Sequence, residues 1–527
     1  MSPHPPEDAP KPTHSADPAS KRPGFHFTPS RNWMNDPTGM VFFDGEYHLC
    51  FQHNPHGDRW GHMSWGHAVS RDLLAWTELP LALAERDGVM AFSGSAIVDR
   101  DDASGLGGEG SAALVAIYTA HDTRTGVQSQ HLAFSRDGGR TWSRLSANPV
   151  LDIGERDFRD PKVFWHEPSQ RFVMAVAWPL ERKVRFYASR DLKRWEHLSD
   201  FGPAGATTGI WECPDLFPLA CDEGRERAWV LVVSTNPGGP AGGSGCQYFV
   251  GEFDGHRFVE AEESRGSGPL WLDHGPDFYA TVTWSDVPRA DGRRIALGWM
   301  SNWQYAQEVP TTPWRGAMTL PRELGLRRTA AGLRVVQQPV REVERLRIEP
   351  PQRFAGGPFD DAAAWLEGRL PLASRFDLEI SFADIAPRTR FALELRCGSR
   401  ERTIIAFDAE LRRLSIDRTN SGRTDFHPAF AGRFEAPVEL DARRLSLRLI
   451  ADHGSLELFA QGGATAQTLL VFPTSAERRL ALSTRSDATP RVEAITLRAL
   501  AAATSVGASN AAGDRHTTAT PGDPRGA

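Results

Sequence analysis

Cysteine is scarce in this chain: Cys50, Cys213, Cys221, Cys246 and Cys397 are five thiols scattered over 527 residues. An odd, dispersed set argues against a disulfide framework. Long apolar runs are missing as well, and no stretch approaches the length of a membrane-crossing helix, so no membrane partner is expected. There is no basic surplus. The net charge of −7 argues against nucleic acid, which calls for a basic face. Tyrosine is rare, six residues against sixteen tryptophans. Tryptophan serves as a stacking surface for sugars, yet for any single one the core is the default reading. Residues 1–24 are rich in Pro, His, Ser and charge and lack the apolar centre of a signal peptide. They read as a disordered leader, and a cytoplasmic location is the expectation. Secretion or periplasmic export by an unrecognised route is the alternative.

What the chain does contain is repetition. Five short polar motifs each open an apolar stretch that turns back on itself: Asn35-Asp36-Pro37, Phe92-Ser93-Gly94, Arg159-Asp160-Pro161, Glu212-Cys213-Pro214 and Asp277-Phe278-Tyr279. Their starts lie roughly 50 to 70 residues apart, a spacing typical of repeat architectures. The first unit runs Met40-Val41-Phe42-Phe43, then Asp44-Gly45, then Tyr47 to Gln52, which is a strong hairpin pattern. A second repeat lies later in three of the units. Ser70-Arg71-Asp72 precedes Trp76, Ser135-Arg136-Asp137 precedes Trp142, and Ser189-Arg190-Asp191 precedes Trp195. Each reads as a turn between outer strands, capped by its Asp. Both repeats fit an all-β fold with a five-bladed β-propeller over residues 25–335.

At 527 residues one compact core is not enough, and a second domain is expected. Val340, Val343 and Leu346 fall at helical spacing between Pro339 and Pro350-Pro351, which reads as a linker over 336–350. Beyond it, Phe376 to Ile380, Phe391 to Leu395, Leu445 to Leu449, Leu456 to Leu458 and Ala494 to Arg498 alternate with period two. Many short alternating segments predict a C-terminal β-sandwich over 351–500, with one wet face per sheet. The Ala-, Thr-, Gly- and Pro-rich stretch 501–527 reads as a disordered tail.

Three of the five motifs carry acids: Asp36, Asp160 and Glu212. Alone, Asn-Asp-Pro is a turn sequence, Arg159-Asp160 a local ion pair and Glu212 a strand edge. At equivalent places of a repeated unit, the three converge on one channel mouth. Unpaired acids there are costly unless they serve a function. Two carboxyl groups flanking a scissile bond are what glycoside cleavage requires. Asp277, at the fifth unit start, reads first as a structural acid. His48, His53, His56, His62 and His67 cluster in sequence, but no spacing matches a zinc pattern, and no metal or cofactor is expected. Gly238 to Gly243 lacks the Lys-Ser or Lys-Thr of a phosphate loop and reads as a surface loop beside the pocket. Cys213, next to an acid, reads as a small packing residue.

Trp33-Met34-Asn35-Asp36-Pro37-Thr38-Gly39, Phe158-Arg159-Asp160-Pro161 and Trp211-Glu212-Cys213-Pro214-Asp215 resemble the three signature motifs of glycoside hydrolase family 32, the β-fructosidases. Phe92-Ser93-Gly94-Ser95 resembles a fourth family motif. Ser301-Asn302-Trp303-Gln304-Tyr305 with Pro313-Trp314-Arg315 is similar to the levanase and exo-inulinase branch. The likeness spans Phe25 to Arg498, with one departure: Thr38 stands where the family motif usually has a second Asn. The resemblance implies that Asp36 is a nucleophile and Glu212 an acid and then a base, in double displacement with retention. It implies that Asp160 binds fructose hydroxyls more tightly in the transition state, with Arg159 orienting it or binding a hydroxyl. Asn35, Gln52, Trp60, Phe92, Ser93, Asn236 and Trp314 are implied contacts to the fructose unit, with Trp60 and Trp314 as apolar walls. The expected substrate is a fructan or sucrose, bound by a monomer or homo-oligomer. The alternatives are a fructosyltransferase, an intracellular sucrose or sucrose-phosphate hydrolase and, in another class, a non-catalytic fructan-binding protein.

Overall fold

A computed structural model of the chain describes residues 22–503, except 109–110, 222–223, 225, 266–267, 330–331, 370–372, 485 and 487. Five antiparallel groups of strands follow one another from residue 32 to residue 339. Their innermost strands are Asn32–Phe43, Val89–Asp99, Arg159–His166, Ile210–Cys221 and Tyr279–Thr283. These are the blades of a five-bladed propeller. The ring closes where Asn32 and Trp33 pair in parallel with Trp314 and Arg315, and where Val41 bridges Ser285. Each outer turn of the second repeat has one geometry. Ser70, Ser135 and Ser189 donate from Oγ to Asp72, Asp137 and Asp191 two residues on, and Trp76, Trp142 and Trp195 donate Nε1–H to the carbonyl three residues back.

Every innermost strand is bulged at its motif. Two residues face one across the ladder at Asn35-Asp36, Phe92-Ser93, Asp160-Pro161, Cys213-Pro214 and Ala280-Thr281. Asp160, Cys213 and Ala280 sit at φ 65°, 47° and 52°, the left-handed region, as bulges often demand. A bulge turns side chains off the regular alternation, so adjacent motif residues face the channel together. Further along the same strands the channel is crossed by protein. Lys162 Nζ donates to the carbonyl of Thr283 at 2.5 Å and pairs with Asp215 Oδ2 at 3.1 Å. Thr283 N–H and Oγ1 donate to that same oxygen.

The second domain is a sandwich of a six-stranded and a five-stranded sheet. Phe391, Leu393 and Leu395 point inward, as do Leu445, Leu447 and Leu449. One α-helix, Phe359–Glu367, packs Phe359, Ala362 and Leu366 against this core; the alternation of the neighbouring strands gave no hint of it.

Two expectations are corrected. The helical spacing does form a 3-10 helix, Arg341–Leu346, but the linker over 336–350 is shorter than expected. Pro339 ends a propeller strand, Gly332–Pro339, and Pro350-Pro351 fall within the strand Arg347–Phe354, at a break in its pairing. Proline tolerates strand ends and bulges as well as linkers, so it marked the wrong boundary. The second correction concerns the wet face. Strands Ser455–Ala460 and Thr465–Leu470 are buried on both faces because the propeller covers the outer one. Glu457, which alternation places in water, is buried and bonded to Arg322 at 2.5 Å and to His26 at 2.9 Å. The expected leader and tail lie outside the described residues, except 22–24 and 501–503, and those few are tied down: Gly24 N–H donates to Asp452 and Ala503 N–H to Gly24 O.

Candidate active site

The three acids meet at one end of the channel. Asp36 accepts from Asn35 Nδ2 at 2.9 Å on one oxygen and from Ser93 Oγ at 2.8 Å on the other. Asp160 accepts the Cys213 backbone N–H at 3.0 Å, and its own N–H donates to Thr119 Oγ1. The Cys213 thiol lies 3.6 Å from Asp36 Oδ2 and 3.6 Å from Asp160 Oδ2. It therefore joins two of the acids directly, more than a packing residue does. Burial pushes this thiol well up, and the neighbouring carboxylates add to that, so it remains a neutral donor.

Glu212 is held from both sides. Arg159 Nε donates to Oε1 at 3.0 Å, and the Tyr279 hydroxyl donates to Oε2 at 2.5 Å. These three residues are equivalent: each is the last paired residue before the bulge of blades three, four and five. Arg159 Nη1 also binds Asp157 at 2.8 Å and Gln128 at 3.2 Å. Burial raises the Asp36 carboxyl, and the charge of Glu212 adds to it. Burial likewise raises Asp160, against the pull of Arg159, with Glu212 and Asp36 pushing the same way. Asp36 and Asp160 therefore both hold a proton more firmly than a free carboxyl does.

The other expected residues divide. Gln52 is buried opposite the Asn35-Asp36 bulge and donates to Ala91 O. Asn35 accepts the Trp33 indole N–H at 2.7 Å. Phe92 stacks on His121 at 4.8 Å and meets the edge of Trp60, which is 40% exposed; this is an apolar wall open to solvent. Asn236 pairs with Ile210 two residues before Glu212 and accepts from Ser244 Oγ at 3.3 Å. Trp314 is buried with the Arg22 guanidinium over its ring at 4.1 Å. The glycine loop packs against Asn302. Asn302 Nδ2 donates to Gly242 O, and Gly243, at φ 68°, has its missing Cβ position 2.3 Å from Asn302 Oδ1, so no larger residue fits. Thr38, the departure from the motif, is fully buried and both donates to Gly94 O and accepts from Gly94 N–H at 2.8 Å. It stitches the first motif to the second. Tyr279 and Thr119 are the residues that sequence reasoning missed. The fifth motif opens with Asp277, but its bulge falls after Tyr279.

Comparison with known proteins gives the same frame. The N-terminal domain model of glycosyl hydrolases family 32 matches residues 26–339, and the C-terminal model of the same family matches residues 354–499. The levanase of Bacillus subtilis is 43% identical over 466 residues, covering 88% of this chain and 68% of the relative. The crystal structure of exo-inulinase from Aspergillus awamori superposes with a TM-score of 0.85 at 35% identity, over 92% of this chain and 98% of that one. A β-fructofuranosidase from Schwanniomyces occidentalis, complexed with fructosyl-erythritol, superposes with a TM-score of 0.83 at 32% identity, over 92% and 99% of the two chains.

Proposed function

Because this chain belongs to glycosyl hydrolase family 32, we propose that it is a retaining β-fructofuranosidase that removes terminal β-D-fructofuranosyl units from fructans or sucrose. The observation that carries this reading is the convergence of Asp36, Asp160 and Glu212 from three blades into one hydrogen-bonded cluster. Asp36 attacks the anomeric carbon. Asn35 and Ser93 fix its two oxygens, so its attacking lone pair is aimed before substrate arrives. Glu212 gives its proton to the leaving oxygen and becomes a carboxylate. Arg159 and Tyr279, which donate to its two oxygens, stabilise that developing charge. Water then enters, Glu212 takes its proton, and the fructosyl–Asp36 ester is cleaved with net retention. Asp160, held by the Cys213 N–H, binds fructose hydroxyls, whose bonds strengthen as positive charge grows on the ring. Levan- and inulin-type fructans are the favoured substrates, since levanase and exo-inulinase relatives cover most of this chain.

The purified protein should be incubated with sucrose, inulin and levan, and free fructose, glucose and oligomers followed over time. Fructose released singly is the expected result. Elongated oligomers without net free fructose would replace hydrolysis by transfer, and binding to levan without release would make the protein a binding module.

A further inference from the structure

The fifth motif is not held by its own blade alone. The segment from Asp273 to Asp277, just before Tyr279, runs along the sandwich strand Thr465–Leu470. His274 N–H donates to Ala466 O at 2.8 Å, and Asp277 N–H to Thr468 O at 3.2 Å. Thr468 returns bonds from its N–H and Oγ1 to the two oxygens of Asp273, at 2.9 and 2.7 Å. Gly275 lies so close that an added Cβ would stand 2.2 Å from Thr468 O. Asp277 is then locked by charge. Arg418 of the sandwich pairs with its Oδ2 at 2.5 Å, where Leu470 N–H also donates, and the Tyr305 hydroxyl donates to its Oδ1 at 2.7 Å. Arg418 Nη2 donates in turn to Tyr305 at 2.8 Å. Every side chain in this lock is buried. Tyr279 begins two residues further on, and its hydroxyl meets Glu212.

We propose that Arg418, from the sandwich, is a positioning residue for the hydrolytic reaction: by fixing Asp277 it aims the Tyr279 hydroxyl at Glu212. The sandwich is then part of the acid–base apparatus rather than an appendage. A buried pair broken on one side leaves an uncompensated charge and shifts the backbone around it. Here that shift is passed through Phe278 to the hydrogen bond between Tyr279 and Glu212, which weakens as its distance and angle depart from the preferred geometry. The proposal rests on Glu212 acting as the proton donor.

The test exploits the leaving group. The value of kcat/KM reports the first chemical step, which needs Glu212 as acid for sucrose but far less for a p-nitrophenyl β-D-fructofuranoside. Arg418→Met should lower kcat/KM on sucrose by about tenfold or more and on the nitrophenyl substrate by less than about threefold. Tyr279→Phe should show the same skew, and the double variant should be no more skewed than Tyr279→Phe alone, because both act through one hydroxyl. Equal losses on the two substrates, no loss, or skews that multiply in the double variant would overturn the proposal. If Arg418→Met does not fold, Tyr305→Phe, which keeps the ion pair and removes one bond to Asp277, should show a smaller skew of the same sign; no skew there overturns it as well. A wild-type protein that cleaves neither substrate would instead overturn the functional reading on which the proposal rests.

Discussion

The innermost propeller strands and the sandwich strand Arg390–Cys397 are built from the same hydrogen bonds but obey different rules. In the five-stranded sheet of the sandwich, Arg390–Cys397 pairs without interruption with Glu401–Asp408 and with Arg478–Thr484. Side chains alternate strictly, inward ones apolar. In the propeller, each inner strand breaks its register at its motif, and the first does so again between Thr38 and Val41. The regular ladder maximises burial. The broken ladder gives up some pairing to turn motif side chains off the regular alternation and towards the channel. Stability and chemistry are thus assigned to different strands, and a substitution of similar size should do different things in the two places.

The largest separation is expected at Asp36. Asp36→Asn should lower kcat by about a thousandfold or more, since the covalent route is lost, while thermal unfolding stays within a few degrees of wild type. A variant with near-full activity would remove Asp36 from the chemistry. The converse is Leu393→Ala, deep in the sandwich. It should cost about 2–5 kcal/mol of stability, read by denaturant unfolding, with kcat at 25 °C within about twofold. A large loss of kcat in that folded variant would dissolve the comparison.

The junction between the two regions should add a pH dependence. His26 is buried between Asp452 and Glu457 at 2.9 Å each. Burial works against its charge, but the bonds and charges of the two carboxylates outweigh it and raise the imidazolium to about 9. The folded form therefore holds a proton that the unfolded chain releases near 6.5. Its contribution is complete below about pH 6.5 and is lost as pH rises through 9. Unfolding followed from pH 6 to 9.5 should show stability falling over that window, and His26→Gln should flatten the fall. An equal fall in the variant would place its origin elsewhere. The smallest effect concerns Thr38. Thr38→Val keeps the shape but strands the N–H and C=O of Gly94, at a cost of about 1–3 kcal/mol. It should lower activity only several-fold. An effect on kcat as large as that of Asp36→Asn would mean that the stitch between the first two motifs is itself part of the chemistry.

The sequence disclosed most of the frame because both repeats and the period-two strands are local patterns. Asp36, Asp160 and Glu212 stood out because their motifs recur at blade spacing. Tyr279 did not, although it lies in a motif that was noticed. The fifth motif begins with Asp277, an acid like those of the other motifs, and only the ladder shows that its bulge comes later. Glu457 was misplaced for a related reason. Alternation reports which face of a strand a residue occupies, but not whether another domain covers that face. Arg418 and Asp277 lie 141 residues apart, and nothing local in either segment announces the other.

The crossing of the channel by Lys162, Asp215 and Thr283 turns the pocket into a cul-de-sac. A fructan cannot thread past that bridge, so in the proposed reaction a chain end enters by the mouth alone, and each cut leaves a severed sugar at the closed end with the shortened chain in front of it. Traffic is last in, first out: the polymer must back away before the monosaccharide can leave. Long chains are then shortened through repeated encounters, and free fructose contests the same berth as the next chain end, a rivalry that competitive inhibition by fructose would reveal.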